Sequence, residues 1–296
     1  MNILFITRPL NGLLMIGLPI ALGFYLTRRF KLGWTLFWIG GLTFVFSQVG
    51  HIPFNQLLTI LFQDKILPLP PQNWRLVFNA IVLGLSAGLW EELSRYAMYR
   101  WWAKDARSWR KGILLGAGHG GMEAMLLGAL VLYGLIQMIA LKNSNLVGVV
   151  PADQIPLGLQ QIQAYWSAQW GITLLGAVER ALTIPFHIGC SVMVLQAFTR
   201  KQVRWVWLAV GWHAFTDAAI AGYASSKLAG FSWGPYAIEG LVALATLVSL
   251  VILFALRQPE PPEPEEEALP SLPPLQPVKI SQVEETDENL EKTRYN

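Results

Sequence analysis

Ionisable residues recur at helical spacing inside segments of this chain that are otherwise apolar. They form four groups: Glu91, Glu92 and Arg95; His119 and Glu123; Glu179, Arg180 and His187; His213 and Asp217. Most members of a group are three, four or seven residues apart, so each segment presents one polar face if it is helical. A charged side chain in hydrocarbon costs about 2.5 to 3.5 kcal/mol and usually faces protein or a water-filled cavity. The pattern therefore indicates one shared buried site.

A carboxylate beside imidazoles supplies the groups that hydrolysis requires. Glu91 or Glu92 can act as a general base that takes a proton from water. His119 and His213 can hold that water or stabilise the oxyanion of a tetrahedral intermediate. We predict that Arg95 neutralises the glutamate that is not the base. Because the two glutamates are adjacent, we expect only one of them to face the site.

The remaining polar groups are predicted to support this centre. Asp217, one helical turn beyond His213, is placed to orient the imidazole or to contact a substrate. We assign supporting roles to the four other ionisable residues: Glu123, Glu179, Arg180 and His187. His51 lies beside Pro53 at the predicted end of an apolar segment, so we expect a loop histidine without a role.

A metal ion is an alternative use of the histidines. His119, His187 and His213 match the three-histidine count of known catalytic zinc sites. The chain has no HExxH sequence, so the helical zinc-protease motif is absent. The single cysteine, Cys190, excludes an intrachain disulfide and is interpreted as a small buried hydrophobic residue.

The elements that must position these residues are membrane-spanning helices. The chain is 53% hydrophobic and 14% charged, whereas soluble domains are about 25% charged. A spanning helix needs about 20 largely apolar residues. This pattern predicts an all-α, multi-pass protein of a cell membrane, which in a bacterium is the plasma membrane. Seven segments qualify as spans: 9–27, 32–50, 76–101, 113–141, 168–198, 205–223 and 236–256.

Basic clusters set the expected orientation. Residues 28–31, 104–111 and 200–204 follow the first, third and fifth predicted spans, so the positive-inside rule places all three in the cytoplasm. The N-terminus is then outside and the C-terminus inside. Because membrane orientation accounts for these basic residues, we predict no nucleic-acid binding.

Two regions of different composition follow. We predict a transmembrane domain at 1–257, with a catalytic core at about 76–223. Residues 258–296 carry 3 Lys and Arg against 10 Asp and Glu and are rich in Pro, which predicts a disordered acidic cytoplasmic tail. Between the spans, we expect a short interfacial helix in 52–75 and an external loop with a short amphipathic helix in 142–167.

The polar segments also resemble a known family. EELSR at 91–95, a histidine in the next span and HAFTD at 213–217 are similar to the EExxxR, FxxxH and HxxxN/D motifs of the CAAX-protease and bacteriocin-processing superfamily, which includes PrsW-like proteins. GAGHGGMEA, ERALTIPFHIGCS and WHAFTD look most like its YhfC branch. His119 departs from the motif, since Leu115 stands where the family has Phe.

The resemblance implies glutamate-dependent, cofactor-free hydrolysis of membrane-associated peptides or proteins. It implies that Glu91 or Glu92 is the base, with His119 and His213 as partners and Arg95 in support. A zinc-dependent intramembrane protease and a proton-coupled transporter remain open, because buried carboxylates and histidines also build proton relays. Transporters often show inverted repeats, and the sequence displays none.

Overall fold

The protein is a bundle of helices in the computed structural model, which describes residues 2–259, 287 and 291. Within 2–259 the chain forms eight α-helices and no β-strand, which confirms the all-α prediction. The helices are α1 Leu4–Phe30, α2 Thr35–Gln63, α3 Arg75–Ala97, α4 Trp109–Leu141, α5 Ile155–Ser167, α6 Leu175–Thr199, α7 Arg204–Ala224 and α8 Gly234–Ala255.

Six helices in the described part of the chain are long and apolar enough to cross a membrane. They are α1, α2, α3, α4, α6 and α8, and they make the chain a multi-pass membrane protein. The remaining predicted span, 205–223, forms α7. Polar residues such as His213 and Asp217 make α7 less apolar than the other six helices, so it does not meet the same criterion. Its main neighbour is α3, with further contacts to α6 and α8.

The segment 52–75 differs from its prediction. The chain does not start a separate interfacial helix there, because α2 continues through Pro53 to Gln63. A proline is tolerated inside a spanning helix when neighbouring helices and polar side chains satisfy the freed backbone groups. The predicted amphipathic helix between the fourth and fifth spans is present as α5.

Glycines on α4 allow other helices to approach its backbone. A Cβ atom at Gly118 would overlap the carbonyl oxygen of Phe37 on α2. A Cβ at Gly116 would lie 2.6 Å from the Cα of Ile188 on α6. These contacts explain why the run GAGHGG accepts the cost of about 1 kcal/mol per glycine in a helix, and they hold α2 and α6 on either side of His119.

A second pair of helices meets in the same way. A Cβ at Gly88 of α3 would lie 2.7 Å from the carbonyl oxygen of Val210 on α7, and one at Gly84 would overlap that of Ala214. Small residues allow this separation in membrane bundles. The close packing brings the end of α3 that carries the glutamates against the middle of α7.

The backbone divides into two compact units, Met1–Glu260 and Pro261–Asn296. All helices named above belong to the first unit. Apart from residues 258, 259, 287 and 291, the predicted acidic tail lies outside the described residues. The orientation of the termini across the membrane stays a prediction.

Candidate active site

Glu91 lies at the centre of a buried cluster of imidazoles. Its Oε2 atom is 3.1 Å from Nε2 of His119, 4.0 Å from Nδ1 of His187 and 3.9 Å from Nε2 of His213. All four residues are buried. They come from α3, α4, α6 and α7, so four helices converge on one carboxylate oxygen, as the common polar faces predict.

Glu92 is turned toward a different set of partners. Its Oε1 accepts a hydrogen bond of 2.7 Å from Nδ1 of His213 and forms an ion pair with Arg95. Both Glu92 and Arg95 are fully enclosed, with at most 1% of the side chain exposed. Which glutamate faces the site stays a prediction, because Glu92 contacts Nδ1 of His213 while Glu91 lies 3.9 Å from Nε2 of the same ring.

Arg95 joins the two glutamates to α6. Its Nη2 atom donates a hydrogen bond of 2.8 Å to Nδ1 of His187 and lies 3.7 Å from Oε2 of Glu91. Because its direct ion pair is with Glu92, Arg95 neutralises that glutamate more closely than Glu91.

The predicted supporting residues hold the far side of His187. Oε2 of Glu123 is 2.7 Å from Nε2 of His187. Arg180 donates to Oε1 of Glu123 over 2.5 Å and is also paired with Glu179. These contacts fix the imidazole ring between a carboxylate on one edge and the Arg95 guanidinium on the other.

Asp217 lies at the exposed edge of the cluster. Its Oδ2 is 3.5 Å from Nε2 of His213, and 38% of its side chain is exposed. All ten predicted site residues therefore fall in one connected network. Their individual roles in a reaction remain predictions.

The three histidines and Glu91 suit a metal ion by donor type. The ligand atoms of Glu91, His119 and His187 all lie within 4.8 Å of one another. His187 and His213 each place one ring nitrogen beside a carboxylate, Glu123 or Glu92. The other nitrogen of His213 lies 3.9 Å from Glu91, and that of His187 lies 4.0 Å from Glu91 and accepts from Arg95. This carboxylate–histidine arrangement is typical of metal-ligating imidazoles, and imidazole with carboxylate is a zinc donor set.

A second group of metal-binding side chains overlaps the first. Ligand atoms of Glu92, Cys190 and His213 also lie within 4.8 Å of one another. Cys190 is fully buried and has no exposed surface through which a substrate could reach its sulfur. Cys190 is therefore a buried packing residue, as predicted, and its sulfur also lies close to Glu92 and His213.

A cavity of about 320 Å³ opens beside the cluster. Its polar walls include His187, His213, Glu123, Asp217 and the unexpected His51. Most lining residues come from the C-terminal halves of α2 and α7 and the first half and middle of α3 and α6, with Glu123 from α4 and two residues from α8. The cavity therefore extends toward the end of the bundle where α3 and α6 begin.

The placement of His51 in a loop is wrong. His51 is inside α2, where its Nε2 accepts from Asn55 Nδ2 at 2.9 Å and lies 3.1 Å from the Ser86 hydroxyl. Its Nδ1 lies 3.2 Å from Oε1 of Gln48, whose amide donates to Glu91 Oε1 over 3.3 Å. The sequence held a signal for this network, since Gln48, His51 and Asn55 share one face of a helix.

A cluster of buried carboxylates and imidazoles, beside a cavity and within helices of membrane-spanning composition, defines a membrane-embedded polar centre of the kind found in intramembrane enzymes. The chain belongs to the YhfC intramembrane metalloprotease family, whose model matches residues 14–242. The match extends beyond the predicted core at 76–223 to α2 and most of α1.

A curated relative supports the same assignment. The chain is 29% identical over 225 residues to the uncharacterized membrane protein YhfC of Bacillus subtilis (strain 168), covering 72% of this chain and 83% of the relative. No solved structure matches the chain. The wider placement with CAAX-type and PrsW-like proteases stays a prediction.

Proposed function

We propose that this protein hydrolyses peptide bonds of membrane-embedded substrates and that Glu91 is the general base. The observation that carries the proposal is the position of Glu91 Oε2 among three imidazoles, beside a cavity large enough to admit part of a peptide. The family description favours proteolysis over proton-coupled transport.

Glu91 is a better base than Glu92 because its carboxylate is not directly paired with Arg95. Glu92 Oε1 accepts from His213 and is paired with Arg95, and a carboxylate neutralised in this way is a poor proton acceptor. Glu91 contacts Arg95 only at 3.7 Å, and its nearest partner is His119 at 3.1 Å. A water molecule bound beside Glu91 would meet a proton acceptor within hydrogen-bond reach.

His119, His187 and His213 are the residues that would hold zinc. Bound zinc would supply Lewis-acid polarisation of the scissile carbonyl and would acidify water at neutral pH. Glu92 orients His213 by accepting from its outer ring nitrogen, and Glu123 places a carboxylate oxygen 2.7 Å from the outer ring nitrogen of His187. Asp217, at the cavity edge, is exposed enough to contact the substrate.

The test is cleavage of a fluorogenic membrane-peptide library by detergent-purified protein. Wild type, Glu91→Gln and His119→Ala are compared before chelation, after chelation and after zinc is restored. We expect cleavage by wild type, loss in Glu91→Gln, and loss on chelation that zinc reverses. Cleavage that survives chelation would replace the zinc assignment with a metal-independent glutamate mechanism. Full activity in Glu91→Gln would overturn the proposed base.

A further inference from the structure

A polar stripe runs along α2 from the site to the end of the bundle. Its members are spaced by three or four residues and share one face of the helix. They are Gln48, His51, Asn55, Thr59 and Gln63. Every member lines one or more of the cavities at that face. Polar side chains on a spanning helix are costly, so this stripe indicates contact with something other than lipid chains.

The stripe borders a groove that continues the catalytic cavity. The groove lies between the C-terminal half of α2 and the N-terminal half of α3 and has a volume of about 390 Å³. Asn55 and Leu83 line both the groove and the cavity beside His213, so the two spaces adjoin. Apolar side chains, including Phe62 and Phe78, form the rest of its walls.

Several polar groups in the groove lack partners in the protein. Within residues 2–259, the buried Oδ1 of Asn55 has no hydrogen-bond partner. Gln63 and Asn79 also line the groove, and their side chains make no hydrogen bond to the described part of the chain. A carboxamide carries both donors and an acceptor, which are the groups that an exposed peptide backbone needs.

We propose that this groove binds an unwound, extended segment of the substrate next to the cleaved bond. The inference rests on the proposed function and deepens it by naming the form of the substrate. A peptide bond in a helix has its N–H and C=O groups paired, and unwinding inside a membrane leaves them without partners. The carboxamides of Asn55, Gln63 and Asn79 replace the lost hydrogen bonds, while the aromatic walls accept side chains.

The dimensions set the length of the bound segment. From Asn55 to Gln63, the part of α2 that lines the groove, the helix rises about 12 Å at 1.5 Å per residue. An extended chain covers this distance with about four residues. The groove therefore contacts about four substrate residues on one side of the cleaved bond.

The test measures peptide binding separately from cleavage. A photoreactive phenylalanine analogue replaces Phe62 in the Glu91→Gln variant of the full chain, and the same analogue replaces Leu57 as a control. Leu57 is on α2, is 53% exposed and does not line the groove. The probes are two dye-labelled Leu-Ala membrane peptides of about 24 residues, one uninterrupted and one with a central Gly-Pro pair that weakens its helix.

We expect the Gly-Pro peptide to be cross-linked at position 62 about fivefold more than the uninterrupted peptide. This factor corresponds to one additional hydrogen bond between the groove and the unwound peptide. Gln63→Leu and Asn79→Leu should each reduce that cross-linking about fivefold, whereas Leu57→Ala should not change it. In wild-type background the same two variants should raise KM with kcat unchanged.

Two results would overturn the inference. Equal cross-linking of both peptides would show that the groove does not select unwound chain. Cross-linking at position 62 no higher than at position 57 would show that lipid or detergent, and not peptide, occupies the groove. Failure of the proposed function has a different signature, because it removes cleavage by wild type and leaves the cross-linking result in force.

Discussion

Glu91 and Glu92 are neighbours in the sequence but have different partners. Glu92 is enclosed and shared between Arg95 and His213, whereas Glu91 faces three imidazoles and keeps 8% of its side chain exposed. The first arrangement favours a structural carboxylate that positions His213. The second favours a carboxylate that exchanges protons with water.

Substitution of the two glutamates should separate these roles. Glu91→Gln should lower kcat by about 10²- to 10⁴-fold, the usual contribution of a general base, with little change in unfolding temperature. Glu92→Gln leaves Arg95 buried beside a neutral group. Removal of one partner of a buried pair costs about 3 to 5 kcal/mol, so this variant should unfold at a lower temperature. Kinetics and thermal unfolding in detergent measure both effects; the same profile for the two variants would refute the distinction.

Glu123 should act on a metal through His187. Its Oε2 lies 2.7 Å from Nε2 of His187, on the side of that ring away from Glu91. Loss of such a partner usually lowers metal affinity about 10- to 100-fold, so Glu123→Gln should weaken zinc binding to that extent in a chelator competition. Glu179→Gln is the matched control, because Glu179 is paired with Arg180 and not with a histidine. An equal loss in both variants would mean that general charge, and not His187, determines the affinity.

At the scale of helices, the site depends on backbone contacts that glycines permit. Gly118→Ala should force α2 away from α4, because the new Cβ overlaps the Phe37 carbonyl oxygen. Overpacking costs about 1 to 3 kcal/mol, so unfolding temperature and activity should both fall. Gly134→Ala on the same helix is the control, since a Cβ there meets no atom within 4 Å in the described chain, and alanine favours a helix over glycine by about 1 kcal/mol. Equal stability of the two variants would contradict this account of the packing.

The sequence predicted the spans and the grouping of the ionisable residues better than it predicted the end of α2. Apolar length located the spans, and three- and four-residue spacing placed the ionisable groups on common faces. Those two rules depend only on local geometry. The continuation of α2 through Pro53 was missed because proline usually ends a helix in water, and His51 was then misplaced in a loop.

The pairing of faces between helices could not be read from spacing. Glu92 meets His213 because Gly84 and Gly88 let α3 lie against α7, and these residues are more than 100 positions apart in the sequence. The choice between Glu91 and Glu92 depends on this long-range packing.

At the scale of the whole molecule, the network of site residues lies within residues 2–259. Deletion of 260–296 should therefore leave kcat, KM and unfolding temperature unchanged within about twofold or 0.5 kcal/mol, as for changes away from packed features. Cleavage by the truncated and full-length proteins in matched vesicles measures this. A large loss of activity would assign the acidic segment a part in substrate delivery or regulation.

The membrane side from which substrate arrives follows from the position of the basic clusters. The α2–α3 groove, which adjoins the cavity beside His213, extends to the end of the bundle that holds Gln63, whereas 104–111 and 200–204 lie at the opposite end. The positive-inside rule places those clusters in the cytoplasm, so the groove should open to the outer side.

Labelling of single cysteines in intact cells measures this orientation. In a Cys190→Ser background, an impermeant maleimide should label Gln63→Cys from outside and should label Lys201→Cys only after the membrane is permeabilised. Cys190 is buried, so its replacement removes background labelling without altering the surface. The reverse pattern would invert the bundle and make the cytoplasm the source of substrate. The chemistry at Glu91 would be unaffected by that reversal, because it depends on contacts between helices and not on their direction across the membrane.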